Sequence, residues 1–419
     1  MKIGVIADDF TGATDAASFI VKHGLTTIQL AGVSNTTAPL DADAFVISLK
    51  TRSCPVDEAV QQSLEACQWL LNQGCTLIYF KYCSTFDSTE QGNIGPVTEA
   101  LMAHLQTEQT LICPALPING RTLYQGNLFV FDQLLSESGM RHHPITPMRD
   151  ANILRVMESQ SQGKAGLLDW QTIQQGVDAC HLRIQNLAKQ QAHFVVCDTL
   201  SDTDLLTIAR STLDFPLLTG GSGLVGALAA VAVESGQVTA TFTTSTTTNK
   251  PNTKGIVISG SCSQMTNKQV ANYQSHAPSL KVDIEQCLNN KAYIDELENW
   301  CLEQPNTPYF PMVYATVPPE ELQDIQAKFG PTVAEKVEHL FHELVHRLAH
   351  QQFSTFISAG GETSGTVTQA LGIEQFRIGA EIAPGVPWVS SLDNTTKLAL
   401  KSGNFGDEDF FQKAQDMTS

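Results

Sequence analysis

Short apolar runs alternate with longer segments of helical period along most of this chain, and that alternation restricts the fold more than any single motif. Residues 3–7, 44–49, 77–81, 110–113, 193–197 and 215–218 read as strands. Residues 56–73, 96–106, 150–161, 171–189 and 202–212 read as helices. Strands that alternate with helices predict an α/β fold with mostly parallel sheets flanked by helices. The pattern breaks at the Thr-rich run 241–254, which has no helical period and reads as a linker. It restarts with strand 255–259, helix 263–274, strand 278–283, helix 288–301, strand 308–316, helix 331–350 and strand 355–358. Two domains are expected, 1–240 and 255–419, with no internal repeat.

Charge narrows the partners. Lys and Arg number 25 against 43 Asp and Glu, a net charge of −18. A chain this acidic is a poor nucleic-acid binder and a poor polybasic membrane-surface protein. An anionic ligand must therefore be held locally, by a few cations or backbone N–H groups. The longest apolar stretch, 224–233, is too short to span a bilayer, and no signal-peptide pattern opens the chain. Ten cysteines are scattered with no C-x-x-C spacing, which suits free thiols in a reducing cytoplasm. The expected location is cytoplasmic, and homodimer formation is left open.

Three signals point towards other chemistries. His342-Glu343-Leu344-Val345-His346 matches the zinc-peptidase pattern H-E-x-x-H, and His339 and His350 extend the stripe. No third ligand stands at a convincing position, so the half-polar face of an amphipathic helix is preferred and no metal site is assigned. Gly221-Ser222-Gly223-Leu224-Val225-Gly226 matches the dinucleotide fingerprint, but the region about 20 residues on lacks the acid that would bind a ribose. Its glycines are read as allowing a helix to pack close to a sheet. No G-x-x-x-x-G-K-[ST] occurs, so a P-loop is excluded although nucleotide use is not.

Other constellations look chemical. The first strand runs into Ala7-Asp8-Asp9-Phe10-Thr11-Gly12-Ala13-Thr14-Asp15. In a parallel sheet, ligands sit outside the carboxyl ends of strands, and paired carboxylates there suit proton transfer or sugar-hydroxyl binding. One of them could instead cap the helix. Later strand ends bring Lys50-Thr51-Arg52-Ser53 and Lys81-Tyr82-Cys83-Ser84-Thr85-Phe86-Asp87-Ser88, so Arg52 and Lys81 are expected at the same mouth. Two cations there favour an anionic small substrate, unless they pair with Asp8, Asp9 or Asp87. Whether loops 114–121 and 142–148 line the site stays open. In the C-terminal half, Gly260-Ser261-Cys262-Ser263, Gly360-Gly361-Glu362-Thr363 and Ser402-Gly403-Asn404 follow strands. Small residues between a strand and a helix present N–H groups to an anion, and three such junctions suggest a phosphate-bearing ligand.

Taken in order, these segments resemble the four-carbon acid sugar kinase family. The resemblance is carried by Ile6-Ala7-Asp8-Asp9-Phe10-Thr11-Gly12, the run from Lys81 to Ser88, and Thr219-Gly220-Gly221-Ser222-Gly223-Leu224. Ser259-Gly260-Ser261-Cys262-Ser263, Gly360-Gly361-Glu362-Thr363 and Lys401-Ser402-Gly403-Asn404-Phe405-Gly406 complete it over nearly the whole chain. It implies a sugar-acid-binding domain at 1–240 and a nucleotide-binding domain at 255–419, with the active site in the cleft between them. It implies ATP-dependent phosphorylation of the terminal (4-) hydroxyl of a four-carbon sugar acid, with 3-oxo-tetronate the expected acid. Asp8, Asp9, Arg52, Lys81, Tyr82, Cys83, Ser84 and Thr85 would then meet the substrate. Ser259, Ser261, Gly360, Gly361, Glu362, Thr363 and Gly403 would meet ATP. The chemistry calls for Mg2+ on the phosphates, with Lys81 as a second source of positive charge and Asp8 or Asp9 taking the hydroxyl proton. Asp9 is preferred of the two. The alternatives are an NAD(P)-dependent oxidoreductase of a small sugar acid and a non-catalytic sugar-acid sensor.

Overall fold

The structure, a computed structural model, describes residues 1–34, 38–143, 145–241, 254–304, 308–330 and 332–417. The chain divides into two compact units, Met1–Phe242 and Thr243–Ser419. Most of the expected linker, 242–253, lies outside the described residues.

The first unit begins β1 (Ile3–Ala7), α1 (Phe10–Val21), β2 (Thr27–Ala31), β3 (Ala44–Ser48), α2 (Val56–Asn72), β4 (Leu77–Lys81), α3 (Ile94–His104) and β5 (Thr110–Cys113). A three-stranded antiparallel sheet follows, from β6 (Arg121–Tyr124), β7 (Asn127–Val130) and β8 (Gln133–Leu134). Then come α4 (Ile153–Gln160), β9 (Lys164–Leu168), α5 (Trp170–Gln174), α6 (Val177–Lys189), β10 (Ala192–Cys197), α7 (Asp202–Thr212), β11 (Leu217–Gly220) and α8 (Ser222–Glu234). The main sheet has the order β2-β3-β1-β4-β11-β5-β10-β9, and every pairing in it is parallel. Strands β1, β3 and β4 are buried at every residue, which explains their unbroken apolar runs. The helix expected over 171–189 is two helices, because Gly176 adopts φ 98° between α5 and α6.

The second unit holds β12 (Lys254–Ser259), α9 (Gln264–Tyr273), β13 (Ser279–Lys281), α10 (Ile284–Asn289), α11 (Tyr293–Glu303), β14 (Met312–Tyr314), α12 (Pro319–Phe329) and α13 (Val333–His350). It continues with β15 (Phe353–Ala359), α14 (Gly361–Ala370), β16 (Gln375–Ala383), β17 (Val386–Ser391), β18 (Lys397–Lys401) and α15 (Phe410–Asp416). The strand order is β13-β14-β12-β15-β18-β17-β16. The first five strands are parallel, and β17 and β16 are antiparallel additions. Tyr273, Met312, Ile357, Trp388, Phe410 and Phe411 belong to its core. The expected helix over 288–301 is again two, α10 and α11.

Topology selects one crevice in each sheet. In the first unit the chain leaves β1 through α1 towards β2, and leaves β4 through α3 towards β5, on the opposite side. The connections diverge between β1 and β4, which opens a gap above their carboxyl ends. In the second unit β12 leads through α9 to β13, and β15 leads through α14 towards the β18 side. That sheet therefore diverges between β12 and β15.

Candidate functional site

Register places the first cluster. Ala7 lies opposite Ser48 on one side and Lys81 on the other, so the residues after β1, β3 and β4 emerge together. The backbone stitches them: Asp8 N donates to Lys81 O at 3.1 Å and Thr51 N to Asp8 O at 3.0 Å. The Arg52 guanidinium forks onto Asp8, Nε to Oδ2 and Nη2 to Oδ1, both at 2.8 Å. It also reaches Asp9 Oδ1 at 3.1 Å and Asp87 Oδ2 at 3.8 Å. Arg52 is thus the hub of three carboxylates, the ion-paired arrangement that the sequence left open. Burial pushes the Asp8 carboxyl above its usual range, opposed by the Arg52 fork. Contact with Asp8 and Asp9 holds Arg52 firmly protonated despite its own burial.

Asp9 has a different task. Its Oδ1 accepts from Gly12 N at 2.7 Å and so caps α1. No hydrogen bond to its Oδ2 occurs among the described residues. A Cβ at Gly12 would lie 3.0 Å from Lys81 Nζ and strike the Asp9 carboxylate, so glycine lets both side chains keep these places. Lys81 is 3% exposed, and its Nζ donates to the carbonyl of Tyr82 at 2.9 Å. Its charge acts on Asp8.

The remaining residues divide by where their side chains go. Tyr82 is buried with its hydroxyl bonded to Thr219 Oγ1 at 2.9 Å, so its side chain belongs to the core and only its backbone serves the mouth. Cys83 Sγ meets Thr85 Oγ1 at 2.9 Å, and Thr85 donates to Asp87 Oδ1 at 2.6 Å. Ser84 is half-buried in the turn between them. Phe86 holds this turn in a left-handed conformation, φ 51°, with its ring packed edge-on against Tyr82. A small pocket opens beside the cluster, with Asp8, Thr51, Arg52, Asp87, Ser88 and Asn93 in its wall. Thr51, Ser88 and Asn93 were not singled out from sequence. Asn93 Nδ2 ties down the Arg52 loop through the carbonyls of Thr51 and Cys54, at 2.7 and 2.9 Å.

The second cluster gathers at the divergence of the other sheet. Gly260 N and Ser261 N both donate to Ala359 O at 3.1 Å, and Gly360 N donates to Lys401 O at 2.9 Å. The turns after β12, β15 and β18 are thereby joined. Gly360 adopts φ 130°, open to glycine alone. A Cβ on Gly403 would stand 2.6 Å from Ser261 Oγ, and one on Gly260 would strike Thr363 Oγ1. By contrast, a Cβ on Gly361 or Gly365 would meet nothing within 4 Å, so the start of α14 is bordered by open space. A helix N-terminus beside such space suits an anion. Ser259 is fully buried and shares a hydrogen bond with Thr316 Oγ1 at 2.7 Å, so its hydroxyl is spent inside the fold. Glu362 is exposed in the first turn of α14. Thr363 donates to Glu338 Oε1 at 2.7 Å, and burial raises the Glu338 carboxyl. Glu338, on α13, gave no sequence signal.

The competing motifs have structural employment. Glu343 pairs with Arg347 at 2.8 Å, the His346 and His350 rings meet edge to face, and no group of metal-binding side chains occurs among the described residues. In Gly221-Ser222-Gly223-Leu224-Val225-Gly226, a Cβ on Gly226 would stand 2.9 Å from the Phe19 ring and one on Gly223 at 3.0 Å from Ala115 O. These glycines seat α8 against α1 and the β5 loop.

Both halves of the chain match known domain families. Residues 3–228 fit the model of a sugar-binding N-terminal domain, and residues 256–411 fit that of a nucleotide-binding C-terminal domain. The chain belongs to the four-carbon acid sugar kinase family. It is 52% identical over 99% of its length to a 3-oxo-tetronate kinase of Pectobacterium atrosepticum, 99% of which is covered. It is also 52% identical over 99% of its length to one of Brucella melitensis, 95% of which is covered. A crystal structure of a Haemophilus influenzae protein, of the family designated DUF1537, superposes with a TM-score of 0.93 at 50% identity, over 99% of this chain and 100% of that one.

Proposed function

We propose that this protein is an ATP-dependent kinase that phosphorylates the 4-hydroxyl of a four-carbon sugar acid, 3-oxo-tetronate, in the cytoplasmic catabolism of carbohydrate acids. The observation that carries the reading is that each sheet diverges once, and the two divergences carry complementary chemistry: carboxylates with Arg52 and Lys81 in one, and glycine-rich turns beside the open N-terminus of α14 in the other. Relatives named 3-oxo-tetronate kinase supply the substrate. The ten free cysteines suit a reducing compartment.

On this reading Met1–Phe242 binds the sugar acid and Thr243–Ser419 binds the nucleotide. Lys81 takes the acid's negative charge, since Arg52 is already committed to Asp8. Arg52 orients Asp8, and Asp8 and Asp9 hold the hydroxyls. Asp9 accepts the proton of the reacting hydroxyl through Oδ2, because both Asp8 oxygens are engaged by Arg52. Ser261, Gly360, Gly361 and Gly403 let the backbone approach the phosphates, with Glu362 and Thr363 in the first turn of α14 beside them and Ser259 as a scaffold. Mg2+ would be held mainly by phosphate oxygens and water rather than by a protein cage, and would neutralise the charge of the transferred phosphoryl group. The deciding experiment is a phosphorylation assay over a panel of four-carbon sugar acids with ATP and Mg2+, the product located by phosphorus NMR. Phosphate at the terminal carbon of 3-oxo-tetronate is expected. Turnover of no acid in the panel would overturn the proposal.

A further inference from the structure

Lys401, the last residue of β18, is 1% exposed. It is the only buried lysine among the described residues of the second unit. Its ammonium has three protons, and each has a named acceptor at 3.0 Å: Thr266 Oγ1 on α9, Ser402 O and Gly403 O. Thr266 Oγ1 in turn donates to Gly403 O at 2.7 Å, and Ser263 Oγ donates to Thr266 Oγ1 at 3.1 Å. The knot holds the Gly403 turn against the N-terminus of α9, where Gly403 faces Ser261 and Ser263.

All of these acceptors are neutral. The elements around the ammonium are β15, β17, α14, α9 and the Phe410 ring of α15. β15 and β17 carry no titratable side chain. α14 carries Glu362, which is exposed. α9 carries Lys268, paired with Glu408, and Tyr273, bonded to Phe310 O. α15 carries Lys413, paired with Asp407, and Asp416, bonded to Tyr309. Among the described residues no carboxylate stands at ion-pair distance from Nζ, and burial pushes the Lys401 pKa down to about 7. Lys81 shares the posture, folding back on the next carbonyl, but it has Asp8 and Asp9 for company. A methionine would fill the Lys401 volume without burying a charge, so the lysine needs a reason.

We propose that Lys401 is a positioning residue of the nucleotide site, clamping the Gly403 turn onto α9 and keeping a buried amine, without a described counter-ion, whose positive charge the polyphosphate stabilises on binding. The inference rests on the nucleotide reading above. It has a thermodynamic signature. Above neutral pH the ligand-free lysine has largely lost its proton, and an arriving phosphate restores it. Nucleotide binding therefore takes up a proton. The same shift makes folding release a proton, so between pH 7 and the lysine's ordinary 10.5 this residue adds stability as pH rises, and it costs most below 7.

The test is calorimetric titration of the full chain with ADP and with adenosine at pH 8, in buffers of different ionisation enthalpy. Wild type should take up on the order of one proton per ADP more than Lys401→Met does. Lys401→Met should weaken ADP about ten- to a hundredfold and adenosine hardly at all. Lys401→Gln, which keeps donors without charge, should resemble the Met variant and guards against a Met variant that fails to fold. Equal losses for ADP and adenosine, or restoration of ADP binding by Gln, would overturn the role of charge. Wild type that binds neither ligand would overturn the nucleotide reading as well, whereas tight wild-type binding with an unaffected variant would overturn the Lys401 inference alone.

Discussion

Asp8 and Asp9 are neighbours in sequence with different partners. Asp8 is 5% exposed and held at both oxygens by Arg52, whereas Asp9 keeps one oxygen for the cap of α1 and has no described partner on the other. A carboxylate accepts a proton best through an oxygen not already held by a guanidinium, and Asp9 has one where both Asp8 oxygens face Arg52. Asp9→Asn preserves size and hydrogen bonding. It should lower kcat on the order of a hundredfold or more with sugar-acid binding largely retained, as steady-state kinetics and direct titration would show. A variant with near-normal kcat would move the base elsewhere. The Arg52–Asp8 fork joins residues 44 apart in sequence, so the composition of the mouth could be read but the pairing within it could not.

Glycines act at the scale of elements, and two of them separate the proposed chemistry from packing. At Gly361 a side chain meets open space, so Gly361→Val should fold normally yet abolish nucleotide binding while the sugar acid still binds. Loss of both ligands with the fold intact would refute the assignment of one ligand to each unit. Gly226 instead lies against Phe19, and Gly226→Val should destabilise the protein by about 1–3 kcal/mol in chemical denaturation without changing nucleotide affinity. A nucleotide defect in stable Gly226→Val protein would revive the dinucleotide reading. Some elements escaped the sequence pattern for physical reasons. Strand β2 carries buried Gln29, which donates to Thr14 Oγ1 at 3.0 Å, and a polar residue in a short run conceals a strand.

For the whole molecule, ligand linkage offers the broadest check. ATP with Mg2+ at about a hundred times its Kd should stabilise the folded chain by roughly 2.7 kcal/mol, raising Tm by several degrees, whereas NAD or NADP should not. A shift with NAD alone would favour an oxidoreductase. No helix among the described residues is long and apolar enough to cross a membrane.

Much of the fold was legible because burial on both faces writes parallel strands as continuous apolar runs: 3–7, 77–81 and 110–113 match β1, β4 and β5 residue for residue. Polar residues clustered after such strands were legible for the same reason, since they stand out against an apolar background. Tertiary structure alone decided how they are used. Lateral strand order placed Lys81 beside Asp8 and Asp9, and turned Tyr82 into the core. It also left Lys401 with no counter-ion among the described residues, a condition set by residues remote in sequence that no local pattern encodes.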